Sequence, residues 1–281
     1  MKTIALYNEK ANNGQGKISA EKLGEFFGDI EYFDITKISS YEGFVNTLGA
    51  DDKIVLCGGD GTLTRFVNEV YDIDIKNDVY YFATGSGNDF YHDVSDGSEK
   101  VEPVKINEYM KNLPTVTVKG KTYRFINGVG YGIDGYCCEV GDKLRETSDK
   151  PINYTSIAIK GLLFHYKPKN AVVTVDGKEY SFKKVWLAPT MNGRFYGGGM
   201  MPTPEQKRIS NDKKLSVMIM SGSGKLPTLI AFPSIFEGKH VDKKMTTVLE
   251  GKTIKVSFDK PTALQIDGET ILGVTEYEAK V

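Results

Sequence analysis

The passage that most constrains the fold is Lys53-Ile54-Val55-Leu56-Cys57, followed at once by Gly58-Gly59-Asp60-Gly61-Thr62-Leu63. The apolar run is short and shows no polar alternation. It therefore reads as a strand buried on both faces, which belongs in a parallel sheet covered by helices. Such a sheet needs crossover helices, and the flanking sequence supplies them. Residues 4–7 read as a strand and 19–27 as a helix, with Ile18, Leu23, Phe26 and Phe27 at helical spacing. Residues 31–35 read as a strand and 41–48 as a helix; a further helix starts near Thr62, and a strand follows at 79–83. This β-α-β alternation predicts an α/β, doubly wound (Rossmann-like) sheet.

Beyond residue 113 the texture changes. Strand-like stretches fall at 115–118, 123–127, 171–175, 184–189, 215–220, 253–258 and 264–267, with helical stretches near 154–165 and 226–237. Val175-Asp176-Gly177-Lys178 signals a hairpin, because Asp-Gly tolerates the positive φ angles of a type I′ turn. The expected organisation is an α/β domain at 1–115 and a mainly antiparallel β-sandwich at 116–281, with 270–281 a candidate to pack back on the first domain.

Charge sharpens that division. Residues 1–115 carry 11 Lys+Arg and 20 Asp+Glu, a net of −9, whereas 116–281 carry 25 and 17, a net of +8. The total of −1 argues against a general nucleic-acid binder, which needs excess cations to displace counterions. A basic second domain suits an anionic surface such as phospholipid headgroups, and predicts salt-sensitive vesicle binding. The alternative is a chance distribution over two solvated surfaces. No run of about 18 apolar residues suggests a membrane span. The N-terminus lacks the pattern of a signal peptide. Cys57, Cys137 and Cys138 have neither disulfide-framework nor zinc spacing, which fits a reducing cytoplasm. Cys137, Cys138, Trp186 and His165 read as packing residues, and His240 as a surface residue.

Three glycines within Gly58-Gly59-Asp60-Gly61 let a ligand approach the backbone closely, and the next helix turns its positive end to the same place. A plain strand–helix turn needs one glycine, so phosphate binding is the better reading. Asp60 adds a carboxylate suited to a bridging Mg²⁺ or to handling a proton. A second such turn, Gly85-Ser86-Gly87-Asn88-Asp89-Phe90, follows the next strand. A third glycine-containing loop runs from Asn8 to Lys17. Ligands of open α/β sheets bind at that edge.

Five segments in order carry a resemblance: Gly58-Gly59-Asp60-Gly61-Thr62, Gly85 to Phe90, Asn127-Gly128-Val129-Gly130-Tyr131-Gly132-Ile133-Asp134, Asn192 with Gly197-Gly198-Gly199-Met200, and Asp267-Gly268-Glu269. Over nearly the whole chain this resembles the diacylglycerol kinase catalytic family, which includes soluble bacterial lipid kinases and is related to sphingosine kinases. The resemblance implies an ATP- and Mg²⁺-dependent kinase of diacylglycerol or a related lipid, cytoplasmic and peripheral to the inner membrane surface. Family members often form homodimers. ATP would sit between the domains against Asn8, Glu9, Lys10, Ala11, Asn12, Thr36, Gly58, Gly59, Asp60, Gly61, Thr62, Leu63 and Ser86. Asp60, Asp89 and Asp134 would organise Mg²⁺ through waters, Asp60 also serving catalysis. Glu269 would be the general base, and Asp212 would belong to a structural Mg²⁺ loop. Read on its own, Asp267-Gly268-Glu269 is equally a plain turn.

Departures from the family pattern are Thr64-Arg65 in place of Asn-Glu, Glu9 and Ala83 in place of prolines, Ser86 in place of threonine and His92 in place of arginine. The metal loop has Asp212-Lys213 where the family has Asp-Gly. Two other readings stay open: an NAD-kinase-like phosphotransferase on a soluble hydroxyl, which shares the GGDGT segment, and a nucleotide- or lipid-binding regulator without catalysis. For the first, Asn68-Glu69 is the candidate Asn-Glu pair, expected to face solvent within the helix.

Overall fold

A computed structural model describes all residues except 12–13, 96–97, 99 and 148–151. The chain divides into two compact units, Met1–Asn112 and Leu113–Val281. With that division the first unit carries the net −9 and the second the net +8.

The first unit is built on five strands: β1 (Thr3–Tyr7), β2 (Ile30–Asp34), β3 (Lys53–Gly58), β4 (Asp78–Ala83) and β5 (Val104–Lys105). Their order is β2-β1-β3-β4-β5. β1 to β4 run parallel and β5 closes the edge antiparallel. Every residue of β1 and all but the first of β3 are buried, as the apolar run requires. The helix Asp60–Val70 turns Leu63, Phe66, Val67 and Val70 inward at i, i+3, i+4 and i+7, which seats it on the sheet. The chain leaves β1 for β2 on one side and reaches β3 on the other. The loops after β1, β3 and β4 therefore share the carboxyl edge of the sheet at its switch point. The expected helix at 19–27 begins earlier, at Gly16–Glu21, and tightens to a 3₁₀ turn at Lys22–Glu25.

The second unit contains β6 (Thr115–Val118), β7 (Lys121–Arg124), β8 (Gly128–Tyr131), β9 (Lys169–Val175), β10 (Lys178–Val185), β11 (Thr190–Met191), β12 (Leu215–Met220), β13 (Thr246–Gly251), β14 (Thr253–Ile266) and β15 (Glu269–Lys280). All pairings among them are antiparallel. The sequence suggests two strands at 253–258 and 264–267, but one long strand is present. Its register shifts between Ser257 and Thr262, where Pro261 has no N–H for a ladder. The first part of β14 pairs with β9 and the last part with β8, so one bent strand serves both layers of the sandwich. The core between them holds Val129, Tyr131, Val173, Val217, Val256, Leu264 and Tyr277, with Tyr131 stacked on Phe258. Asp176 and Gly177 take φ of 48° and 84° in the expected hairpin. Residues 270–281 lie in or beside β15, paired with β14 and β6.

Elements not foreseen include the helix Asp89–Val94, β5, β13, β15 and the helix Ile133–Arg145. β15 hides its alternation among charged residues, and the helix Ile133–Arg145 starts inside a glycine motif, after Gly132 at φ 112°. Two side chains depart from expectation. His240 is wholly buried, with Nε2 2.9 Å from the Pro202 carbonyl oxygen, and burial lowers its basicity. His165 is exposed, at the end of a π-helical turn whose buried residues are Gly161 and Leu162. Cys137 and Trp186 are core residues as expected.

Candidate functional site

In the first unit the two glycine-rich turns form one structure. Gly59 caps the helix Asp60–Val70 with extended backbone, and its carbonyl oxygen accepts the amides of Thr62 and Leu63 at 3.0 and 3.1 Å. The Asp60 carboxylate accepts the amide of Asp89 at 2.9 Å on Oδ2 and that of Phe90 at 2.9 Å on Oδ1. One motif thus holds the start of the other. Three glycines have an internal explanation. A Cβ on Gly58 would lie 2.5 Å from Cβ of the Thr62 side chain, and one on Gly85 would lie 2.5 Å from Gly59 Cα, where the two backbones touch. Gly61 differs: its φ is negative, and nothing lies within 4 Å of where its Cβ would stand. Gly61 thus leaves open space at a helix N-terminus, the end of a helix that suits phosphate oxygens. Asn88 takes left-handed φ of 53° and donates to the Gly85 carbonyl oxygen, fixing the second turn, and leaves Ser86 exposed.

The loop after β1 stands at the same edge. Asn8 Oδ1 accepts the Lys10 amide, and the Asn8 carbonyl oxygen accepts that of Ala11. Glu9 and Lys10 are exposed, and Glu9 lies 3.7 Å from Lys37. Asn12 falls outside the described residues. Thr36 is held by Asp34, which accepts its amide at 3.0 Å and its hydroxyl at 2.8 Å and also receives the Glu9 amide. Burial opposes ionisation of Asp34. The Thr36 and Glu9 donors and Lys37 outweigh that and keep its carboxyl below the usual range. Asp34 was not foreseen; the Asp-x-Thr spacing was its available signal. Leu63 is fully buried and its amide is used within the helix, so it serves packing. Asn68 and Glu69 are exposed on the helix, as expected.

In the second unit Glu269 opens β15, exposed, directly after a turn made by Asp267 (φ 46°) and Gly268 (φ 98°). The turn is more than a reversal. Asp267 accepts the amides of Ile126 (2.6 Å on Oδ2), Asn127 and Gly128 (both 2.9 Å on Oδ1). Arg208 donates to the Ile126 carbonyl oxygen and to Asn127 Oδ1, and Asn192 Nδ2 donates to the same carbonyl. Gln265 Oε1 accepts the Gly268 amide at 2.7 Å. The Asn127, Asn192 and Asp267 motifs are therefore one polar network beneath Glu269. Arg208 and Gln265 carry no sequence signal: the partners of Arg208 lie 82 and 81 residues away, and Gln265 stands outside the motifs.

Asp134, in the first turn of its helix, occupies the space over Gly130, where a Cβ would meet Asp134 Oδ2 at 1.7 Å. Burial pushes its carboxyl up to about 6, against the Gly135 amide and the nearby Tyr196 and Gln265. Oδ2 is buried without a hydrogen-bond partner. That orphaned oxygen fits a role in holding a hydrated cation. Among the described residues, no three His, Cys, Asp or Glu side chains form a direct metal set. Asp212 does not fit a metal loop. It is exposed, with Oδ1 2.8 Å from Lys252 and Oδ2 3.0 Å from Lys214. Those ammonium groups stand where a cation would bind, and they hold its carboxyl below the usual range.

Comparison with known proteins matches these features to a family. The model described as the diacylglycerol kinase catalytic domain matches residues 2–118, and that of the YegS C-terminal NAD kinase beta sandwich-like domain matches 127–280. The diacylglycerol kinase of Mycobacterium tuberculosis (strain H37Rv) is 24% identical over 213 residues, covering 73% of this chain and 66% of the relative. The diacylglycerol kinase of Bacillus subtilis (strain 168) is 23% identical over 224 residues, covering 78% and 71%. A crystal structure of a diacylglycerol kinase from Bacillus anthracis superposes with a TM-score of 0.62 at 21% identity, covering 99% of this chain and 93% of that one, which shows the shared fold. The motifs, the two-unit fold and the matched models together make this chain a member of the diacylglycerol kinase catalytic-domain family.

Proposed function

We propose that the chain is an ATP- and Mg²⁺-dependent lipid kinase that phosphorylates the hydroxyl of diacylglycerol or a related lipid. The observation that carries this reading is Gly61, the glycine of its motif that neither packing nor φ requires, standing open at a helix N-terminus. The amides there would bind ATP phosphates, with Asn8 to Ala11, Thr36 and Ser86 lining the nucleotide. Asp60 positions the second turn through its two amide bonds. Asp60, Asp89 and Asp134 are the residues that would hold Mg²⁺ through water. The ion supplies neutralisation of charge on the transferring phosphoryl group. Glu269 would take the proton of the lipid hydroxyl. Its carboxylate makes no side-chain hydrogen bond among the described residues, and the Asp267 network fixes the backbone it stands on. Family membership supports the kinase reading, and the departure at Asp212 confines the metal assignment to the three other aspartates.

The test is ATP consumption with a panel of lipids in mixed micelles. Turnover with a diacylglycerol-like lipid is expected, and Glu269→Gln should lower kcat by about 10²–10⁴-fold while ATP binding persists. Intact ATP binding with no turnover on any lipid would sink the reading. Turnover of NAD alone would favour the soluble-substrate alternative.

A further inference from the structure

Gln265 stands where a buried strand residue is ordinarily apolar. Its neighbours Leu264 and Ile266 belong to the core of the sandwich, so Gln265 lies on the opposite face of β14. The helix Ile133–Arg145 packs against β14. A Cβ on Gly135 would lie 2.0 Å from the Ala263 carbonyl oxygen, so the first turn of this helix rests directly on the strand. Gln265 is 5% exposed there. Burying an amide costs free energy unless both of its poles find partners.

The two poles of Gln265 meet different elements. Oε1 accepts the Gly268 amide at 2.7 Å, inside the turn that leads into Glu269. Nε2 lies beside Asp134. Gln265 is paired across the ladder with Gly130, and a Cβ on Gly130 would meet Asp134 Oδ2 at 1.7 Å and Gln265 Nε2 at 2.5 Å. The two groups therefore fill, side by side, the space that a side chain at position 130 would need. Gly130 has no positive φ, so this pair is what requires a glycine there. A carboxylate calls for a donor and a backbone amide for an acceptor, and a glutamine side chain supplies both. Methionine has the length but neither pole, and an ionised glutamate has acceptors alone.

We propose that Gln265 is a positioning residue, which locks the turn carrying Glu269 to Asp134. The proposal rests on the kinase reading, in which Asp134 would help to hold Mg²⁺ through water and Glu269 would take the proton of the lipid hydroxyl. Asp267 ties the turn to residues 126–128. That tie fixes Asp267 itself, and Gly268, at φ 98°, is the joint between it and Glu269. Gln265 holds that joint from the side of Asp134. The proton acceptor and the cation-holding carboxylate are thereby set on one frame within the second unit.

The test begins with the full chain and no added nucleotide or metal. Hydrogen exchange at the Gly268 amide should be about tenfold faster or more in Gln265→Met, and near wild type in Gln265→Glu, which keeps the acceptor. Gln265→Glu should still lower the melting temperature, because it sets two carboxyl groups side by side. Adding Asp134→Asn to it swaps the amide and the carboxylate, and the joint variant should melt closer to wild type than Gln265→Glu does. In turnover of a diacylglycerol, Gln265→Met should lose about tenfold or more in kcat. Its KM for ATP should stay within about twofold, because the residues assigned to the nucleotide lie in the first unit. Unchanged exchange at Gly268 in Gln265→Met would overturn the proposal, as would a joint variant no more stable than additive losses require. A KM for ATP that rises while kcat holds would overturn it too. Where Gln265→Met does not fold, the swap decides alone. Faster exchange and rescue by the swap, in a protein that phosphorylates no lipid, would uphold the tie between Asp134 and the turn and remove the kinase reading.

Discussion

Asp60 and Asp267 do the same structural work in the two units, at very different reach along the chain. Each carboxylate gathers backbone amides of another motif. Asp60 takes those of Asp89 and Phe90, on the turn after the neighbouring strand. Asp267 takes those of Ile126, Asn127 and Gly128, about 140 residues earlier. The loops around Asp60 also touch backbone to backbone at Gly59 and Gly85, whereas nothing lies within 4 Å of a Cβ placed on Gly268. The phosphate-side turns are therefore shaped by close packing of locally encoded loops. The Glu269 turn is shaped by a hydrogen-bond network assembled only when the β unit folds. Packing tolerates the loss of one bond better than a network does, which sets the order of effects below.

The largest difference should appear when the acceptors are removed. Asp267→Ala strands three amides of buried residues, and charged hydrogen bonds of that kind cost about 3 kcal/mol or more to lose. Asp60→Ala frees two amides at a short helix start, where capping losses are about 1 kcal/mol. Urea denaturation of both variants measures this directly. Equal losses would break the comparison, since the reach of Asp267 would then add nothing.

Glycine substitutions come next and sharpen it from the packing side. Gly85→Ala forces a methyl into Gly59 Cα, a backbone atom that cannot swing away. Overpacking of this kind costs about 1–3 kcal/mol. Gly61→Ala meets no atom and gains helix propensity, so melting should hold or rise slightly. Its ATP affinity should nonetheless fall, because the methyl occupies the space assigned to a phosphate. Melting curves and calorimetric ATP titration separate the two. ATP affinity unchanged in Gly61→Ala would take that glycine out of the phosphate site.

The same contrast explains what could be read from the sequence. The strand at Lys53–Gly58 and the helix at Asp60–Val70 follow from an apolar run and a 3.6-residue period, both local. The motif positions on the sheet edge were legible for that reason. Arg208 and Gln265 were not, because a buried polar residue has no periodic signal of its own; Asn192 was legible as a motif position, but not the bond it donates to Ile126. β14 is one strand where the sequence suggests two, and only its pairing with β8 and β9 shows that the break is a shift of register. His240 looked like a surface residue because its burial depends on the segment around Pro202. The position of Glu269 in the motif was legible, but the anchoring that gives its turn a shape was not.

The smallest effect concerns Asp34, a third gathering carboxylate and the most local of all. Its side chain is 3% exposed and accepts from Thr36, two residues on, and from the Glu9 amide. These donors and Lys37 overcome the burial penalty, so the folded carboxyl titrates below its unfolded value. A group with a depressed folded pKa stabilises the fold fully above the unfolded pKa, near 3.9 for Asp, and that contribution is lost as pH falls through the folded pKa. Stability of wild type should thus drop more steeply than that of Asp34→Asn as pH falls from about 5 towards 3. Above that range the two should differ by a constant amount. Parallel urea midpoints across the whole acid range would mean that Asp34 is not held as an anion. The local tie between the β1 loop and Thr36 would then rest on shape alone, and the nucleotide edge would be more uniformly a product of packing than the Asp60 arrangement implies.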